Sequence, residues 1–209
     1  MARTRILMAD DHRIVSEGLR SLLEPAYELE IVEDGRQLVE AAQRLQPDVI
    51  VADITMPLLN GLDAVEQLRS LGCQAKVIYL TMHKDALYAA RGIRGGASGF
   101  VLKHSASAEL LTAIREALAG RTYVTPAIQE LLDRFPDRIP DGDVSLTRRQ
   151  REVLQLFAEG HSAKEVAKLL HISVRTAEGH KSQIMNLLGA NSTADLVQCA
   201  IRHGLIAST

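Results

Sequence analysis

Residues 1–120 repeat one alternation five times. Short apolar runs at 6–9, 49–52, 77–80 and 100–102, with a weaker one at 29–32, each precede a longer segment of different spacing. In those segments apolar side chains recur every three or four positions. Examples are Ile14, Leu19, Leu22 and Leu23, then Leu38, Val39, Ala42 and Leu45, then Leu62, Val65, Leu68 and Leu71, then Leu110, Leu111, Ile114 and Leu118. A short apolar run followed by period 3.6 predicts strand then helix. Five such units predict an α/β fold with a doubly wound, five-stranded parallel sheet. The runs at 49–52 and 77–80 are apolar throughout, which suits strands buried on both faces.

The rhythm stops at 121–145. Pro126, Pro136 and Pro140 fall close together beside Asp137, Asp141, Gly142 and Asp143. This composition predicts a linker with one short helix at 127–134. From 146 to 209 the pattern is helical, with helices predicted near 148–158, 163–169, 174–188 and 193–203. Ser162 and Ser173 are suited to N-caps, and Gly160, Gly189 and Gly204 stand where helices should stop. The chain therefore divides into 1–120, a linker at 121–145 and an all-α, four-helix part at 146–209.

Composition narrows the function. Hydrophobic residues make up 46% and charged residues 24%, enough apolar material for a core and too much for a disordered chain. Aromatics are 3% with no Trp, which argues against a base-stacking surface for single-stranded nucleic acid. Cys73 and Cys199 stand far apart, with neither metal-ligand spacing nor a disulfide framework. They read as reduced thiols in a cytoplasmic protein. No apolar run approaches the ~18 residues of a membrane span, and the N-terminus shows no secretory cleavage signal. The net charge of −2 is unevenly spread: residues 1–120 sum to −3, residues 121–146 to −2 and residues 147–209 to +3. A surplus of that size is weak evidence for nucleic acid by itself.

Ligands of doubly wound sheets bind at the carboxyl ends of the strands. The residues that follow the apolar runs are Asp10 and Asp11, then Asp53, then Thr81, then Lys103. Taken singly, each has a bland reading as a cap or a solvated charge. Together they place three carboxylates, a hydroxyl and an ammonium on one rim. Three carboxylates repel unless a cation sits among them, and oxygen ligands without His or Cys favour Mg2+. A lone Lys would pair with a phosphoryl group as a point charge. A carboxylate can serve as nucleophile and carry an aspartyl-phosphate. The set reads as a Mg2+-assisted site at which Asp53 accepts a phosphoryl group.

These residues lie in the strings MADDH at 8–12, DITMPLLNG at 53–61, LTMH at 80–83 and GASGFVLKHS at 96–105. In order and spacing they resemble the receiver domain of bacterial two-component response regulators. The resemblance implies that Asp53 is phosphorylated by a sensor histidine kinase. It implies that Asp10, Asp11, Asp53 and the backbone carbonyl of Thr55 hold Mg2+, and that Thr81 and Lys103 contact the phosphoryl oxygens. Phe100 occupies the aromatic switch position where Tyr is commoner. His104 follows the lysine where many receivers have Pro, often after a cis bond, which before a non-proline costs about 3 kcal/mol.

The tail joins a short amphipathic helix at 163–170 to a second helix opening at Val174, the spacing of a helix-turn-helix. Residues 146–206 resemble the LuxR-type DNA-binding domain throughout, so the whole chain resembles a NarL/FixJ-type response regulator. The resemblance implies that the helix at 174–188 reads double-stranded DNA and the helix at 193–203 helps form a homodimer. Glu178, where a base-contacting Lys is frequent, can accept from cytosine N4 but repels phosphates. Gly179 beside it costs roughly 1 kcal/mol of helix propensity against Ala. Glu178, His180 and Ser182 are expected at base edges, and Lys164, Arg175, Thr176 and Lys181 at phosphates.

The expected function is a cytoplasmic transcription regulator, with RNA polymerase as a further partner and no role at a membrane. Phosphorylation of Asp53 would control dimerisation and DNA binding. An alternative is a phosphorylation-independent regulator whose receiver serves as a dimerisation platform. An aspartyl-phosphate phosphatase would need an acid/base Asp two positions after the nucleophile, where this chain has Thr55. At most, slow self-dephosphorylation is expected.

Overall fold

A computed structural model describes residues 3–82, 86–134 and 146–206. They fall into two compact units, one built on a sheet and the other on the last four helices.

In the first unit all strands are parallel. β1 (Arg5–Ala9) lies between β2 (Glu28–Val32) and β3 (Val49–Asp53), followed outward by β4 (Lys76–Thr81), β5 (Gly99–Leu102) and β6 (Tyr123–Val124). The chain leaves β1 in opposite directions toward β2 and β3, so a crevice opens at their carboxyl ends. Register carries the sequence pattern into space: Ala9 pairs with Ala52, Asp53 with Leu80, and Thr81 with Leu102. The residues after each strand therefore arrive at one rim.

Alternation along the strands separates two buried faces. Ile6, Met8, Val49, Val51, Ile78, Leu80 and Val101 pack under α1 (Arg13–Leu23) and α5 (Ala106–Leu118). Leu7, Ile50, Tyr79 and Phe100 are buried on the opposite face. There α2 (Gly35–Leu45), α3 (Gly61–Ser70) and α4 (Ala86–Arg94) complete the second layer. The Tyr79 and Phe100 rings sit 6.2 Å apart, and a side chain at Gly92 of α4 would meet the Tyr79 ring at 2.9 Å.

The sheet has six strands, one more than the sequence predicts. Within the stretch read as a linker, Thr125 N donates to Phe100 O at 2.9 Å and Tyr123 N to Ser98 O at 3.1 Å. A two-residue strand has no periodicity to detect, and its pairing depends on the free edge of β5. The predicted short helix follows as α6 (Pro126–Arg134), with proline at the first helical position, where its missing N–H costs nothing. Ile128 of that helix is fully buried. No cis peptide occurs among the described residues, so the Lys103–His104 bond is trans and opens a short 3-10 turn, Lys103–Ser105.

The second unit consists of α7 (Arg148–Ala158), α8 (Ala163–Leu170), α9 (Val174–Leu188) and α10 (Thr193–Arg202). Their starts are fixed locally. Thr147 with Gln150, Ser162 with Glu165 and Ser192 with Asp195 form reciprocal capping boxes, and Ser173 caps α9 through Thr176 N. Their ends use left-handed residues, His171 at φ 52° and Gly189 at φ 64°. Val153, Leu156, Phe157, Val166, Leu170, Ala177, Ile184 and Leu196 fill the core. Cys73 and Cys199 are both free thiols. Among the described residues no helix is long and apolar enough to cross a membrane.

Candidate functional site

The rim at the ends of β1, β3 and β5 gathers the predicted charges. Lys103 Nζ donates to Asp10 Oδ1 at 2.8 Å and to Asp53 Oδ2 at 2.7 Å, and its side chain is 1% exposed. Residues 93 and 50 positions away from the lysine thus meet on one ammonium. Asp10 Oδ1 also accepts from His12 N at 2.9 Å, and Asp53 Oδ1 accepts from Thr55 N at 3.2 Å. Asp11 lies closer to solvent. Thr81 is buried at the end of β4, beside the strand that ends in Asp53. Phe100 is wholly buried, its ring already turned inward against Tyr79.

Burial pushes the Asp53 carboxyl up to about 6, although the Lys103 ammonium pulls it back. The Asp10 carboxylate adds to the rise. A buried carboxylate that resists ionisation, held beside a second carboxylate, is a group waiting for positive charge. A further observation agrees. Asp10 Oδ2 is buried and, among the described residues, has no hydrogen-bond partner. Such an orphan is costly unless a group from outside the chain meets it. Asp10, Asp11, His12 and Asp53 each offer a ligand atom, all within 4.8 Å of one another. The donor set fits a divalent cation.

The loop after β3 is fixed from two sides. A Cβ at Gly61 would lie 2.0 Å from the carbonyl oxygen of Asp53, so only glycine fits that approach. Gly61 N donates to Ile54 O at 2.8 Å, closing the loop. Next to it, Asn60 and Asp63 are both fully buried. Asn60 Oδ1 accepts from Asp63 N at 2.9 Å, and Asn60 Nδ2 donates to Asp63 Oδ2 at 2.7 Å. Asp63 Oδ1 accepts from Arg91 of α4 at 2.6 Å. This chain of polar contacts ties the loop carrying Asp53 to α4.

Reading by strand ends missed this chain and missed His12. His12 Nδ1 lies 2.9 Å from Asp11 Oδ1, 3.3 Å from Asp10 Oδ1 and 3.2 Å from Lys103 Nζ. An imidazole directly after an acidic pair was the available signal. The Asn60–Asp63–Arg91 set left none, because Arg91 comes from another helix, 28 positions further along the chain.

In the second unit α9 presents an open face. Arg175, Thr176, Glu178 and Ser182 are exposed, as is Lys164 of α8, while His180 and Lys181 are half-buried. Lys181 Nζ lies 4.8 Å over the Phe157 ring, a cation–π contact within the unit. The Thr176 hydroxyl bonds that of Ser173 at 2.8 Å, and the Ser182 hydroxyl donates to Glu178 O at 3.1 Å. Nothing lies within 4 Å of a Cβ placed on Gly179.

Residues 6–115 match the family described as response regulator receiver domain, and residues 144–200 match bacterial regulatory proteins of the luxR family. The chain is 33% identical to the transcriptional regulatory protein MctR of Rhizobium johnstonii, over 98% of this chain and 96% of that protein. It is 33% identical to the oxygen regulatory protein NreC of Staphylococcus carnosus, over 97% and 99%. Among solved structures, RcsB from Salmonella enterica serovar Typhimurium, bound to promoter P1flhDC in the presence of the phosphomimetic BeF3−, matches with a TM-score of 0.58 and 27% identity, covering 94% of this chain and 97% of that one. The chain belongs to the two-component response regulators in which a receiver domain is followed by a LuxR-type DNA-binding domain.

Proposed function

We propose that this response regulator is switched by phosphorylation of Asp53 and that the switch governs dimerisation on DNA. The observation that carries the proposal is the Lys103 ammonium shared between Asp10 and Asp53, beside an unpartnered Asp10 oxygen.

Asp10, Asp11, Asp53 and the Thr55 carbonyl would hold Mg2+. The bound cation would offset the negative charge that accumulates on the carboxylates and the phosphoryl oxygens. Asp53 is the nucleophile: a carboxylate oxygen attacks phosphorus, and the phosphorus–nitrogen bond of a kinase phosphohistidine breaks as the imidazole leaves. Lys103 then exchanges one carboxylate for the phosphoryl group, and Thr81 donates to another phosphoryl oxygen. The Phe100 ring follows Thr81 as the aromatic member of the switch. Water attack on the acyl phosphate would return the free carboxylate, a slow self-dephosphorylation with no external substrate.

A ligand shifts a two-state equilibrium only by its differential affinity. A phosphoryl group that contacts Lys103 and Thr81 in one state alone meets that requirement. Dimerisation through α10 would place two α9 helices on adjacent half-sites of double-stranded DNA. Glu178, His180 and Ser182 would meet base edges, and Lys164, Arg175, Thr176 and Lys181 phosphates, with Lys181 leaving the Phe157 ring to do so. RNA polymerase would be a further partner at the promoter, and the protein would act in the cytoplasm.

The test is a DNA-binding titration with and without beryllofluoride and Mg2+, in the wild type and in Asp53→Ala. Tighter DNA binding with the mimic in the wild type, and no response in the variant, is expected. An equal response in both proteins would remove Asp53 from the mechanism.

A further inference from the structure

The imidazole of His12 faces groups that cannot all be satisfied by one protonation state. Its Nδ1 stands 2.9 Å from Asp11 Oδ1 and 3.3 Å from Asp10 Oδ1. It also stands 3.2 Å from the Lys103 ammonium and 3.8 Å from Asp53 Oδ2. With a proton on Nδ1, the ring serves Asp11 but opposes the lysine, which has only donors. With a lone pair there, it serves the lysine but opposes the carboxylate oxygens. A cation taking the place of the Lys103 ammonium on these atoms would resolve the conflict, because Nδ1 and each oxygen would then turn a lone pair toward the same charge.

The spacing suits direct coordination. Adjacent ligands of an octahedron with bonds of 2.1 Å lie about 3.0 Å apart. The Nδ1–Asp11 separation of 2.9 Å and the Nδ1–Asp10 separation of 3.3 Å are close to such edges. Asp10 supplies the independent sign of a missing partner, its buried Oδ2. His12 is itself half-exposed at the side chain, so it can exchange water for a metal without unfolding its surroundings.

We infer that His12 is an inner ligand of the divalent cation at Asp10, Asp11 and Asp53, and that its nitrogen favours a first-row transition ion such as Mn2+ over Mg2+. The inference rests on the proposed cation site and adds the identity of the ion. Carboxylate and water suit Mg2+, whereas an imidazole nitrogen raises affinity along the transition series. The all-oxygen set expected from the strand ends left out the nitrogen beside them.

The full-length protein is titrated calorimetrically with Mn2+ and separately with Mg2+, as wild type and as His12→Phe and His12→Asn. The Mn2+ form is also examined by electron spin-echo modulation, with and without ring-15N histidine. His12 coordination predicts nitrogen modulation in the wild type that changes with the label and is lost in both variants. It also predicts that the variants lose at least tenfold in Mn2+ affinity and less in Mg2+ affinity, so that the Mn2+-to-Mg2+ ratio falls. Mn2+ binding without nitrogen modulation, or with an unchanged Mn2+-to-Mg2+ ratio in the variants, overturns the inference and leaves the cation site standing. If neither ion binds the wild type, the cation site itself falls.

Discussion

Gly61 and Gly179 stand in the two functional regions, and their surroundings are opposite. A methyl group on Gly61 would strike the Asp53 carbonyl at 2.0 Å, whereas one on Gly179 would meet nothing within 4 Å. The first region is closed on itself: Asp10, Asp53 and Lys103 are buried and share hydrogen bonds, and the loop has no spare volume. The second is a helix face on which Arg175, Thr176, Glu178 and Ser182 are exposed. A site that must hold a small charged group is specified by its own packing. A surface that must accept a duplex is left for the duplex to complete.

Gly61→Ala gives the largest expected effect. The clash is with backbone, which cannot swing aside, so the receiver unit should lose at least about 3 kcal/mol. Amide hydrogen exchange should show lost protection in β3 and β4 and none lost in α7 to α10. Normal protection in β3 would break the contrast by showing that the loop can give way.

Asp53→Asn sharpens it from the electrostatic side. In the folded protein the Asp53 carboxyl titrates at about 6, above its ordinary value of 3.8. Its stabilising contribution is therefore complete at low pH and lost as the pH rises through about 6. At neutral pH without divalent ions the variant should be more stable, by on the order of 2–3 kcal/mol. Thermal melts across pH should show that advantage vanish below about pH 4. An advantage independent of pH would place its origin outside this carboxylate.

Gly179→Ala has the smallest expected effect and the opposite sign to Gly61→Ala. Removing an unneeded mid-helix glycine should stabilise the second unit by about 0.5–1 kcal/mol, read from its melting. Binding to a specific operator should weaken in the same protein, because on the proposed docking of α9 the added methyl would face the DNA. Unchanged or tighter binding would show that the helix backbone does not approach the duplex there.

The same contrast governs what could be read in the sequence. Asp10, Asp11, Asp53, Thr81 and Lys103 were legible because a parallel sheet converts the end of each apolar run into a position on one rim. The starts of α8 and α9 were legible because Ser162 and Ser173 act on backbone only three residues away. What escaped depends on partners distant in the chain. Tyr123 and Val124 are strand only because β5 leaves an edge beside them. Asp63 reads as a surface helical residue until Arg91 and Asn60 close over it. Lys181 reads as a free cation, yet Phe157, two helices earlier, has taken it up.

The brief pairing of Tyr123 and Val124 with β5 also bears on how many copies of this protein can coexist without sticking. An uncapped β5 would offer a bare row of amides and carbonyls to any neighbouring molecule. Two residues and Thr125, followed by Pro126, occupy that row and end it before it can be extended. On the far margin β2 carries Glu28 and Glu30, so two molecules meeting there would bring like charges together. Both flanks of the sheet are thus poor templates for fibrous stacking, a protection that owes nothing to phosphate or DNA and should hold at high concentration.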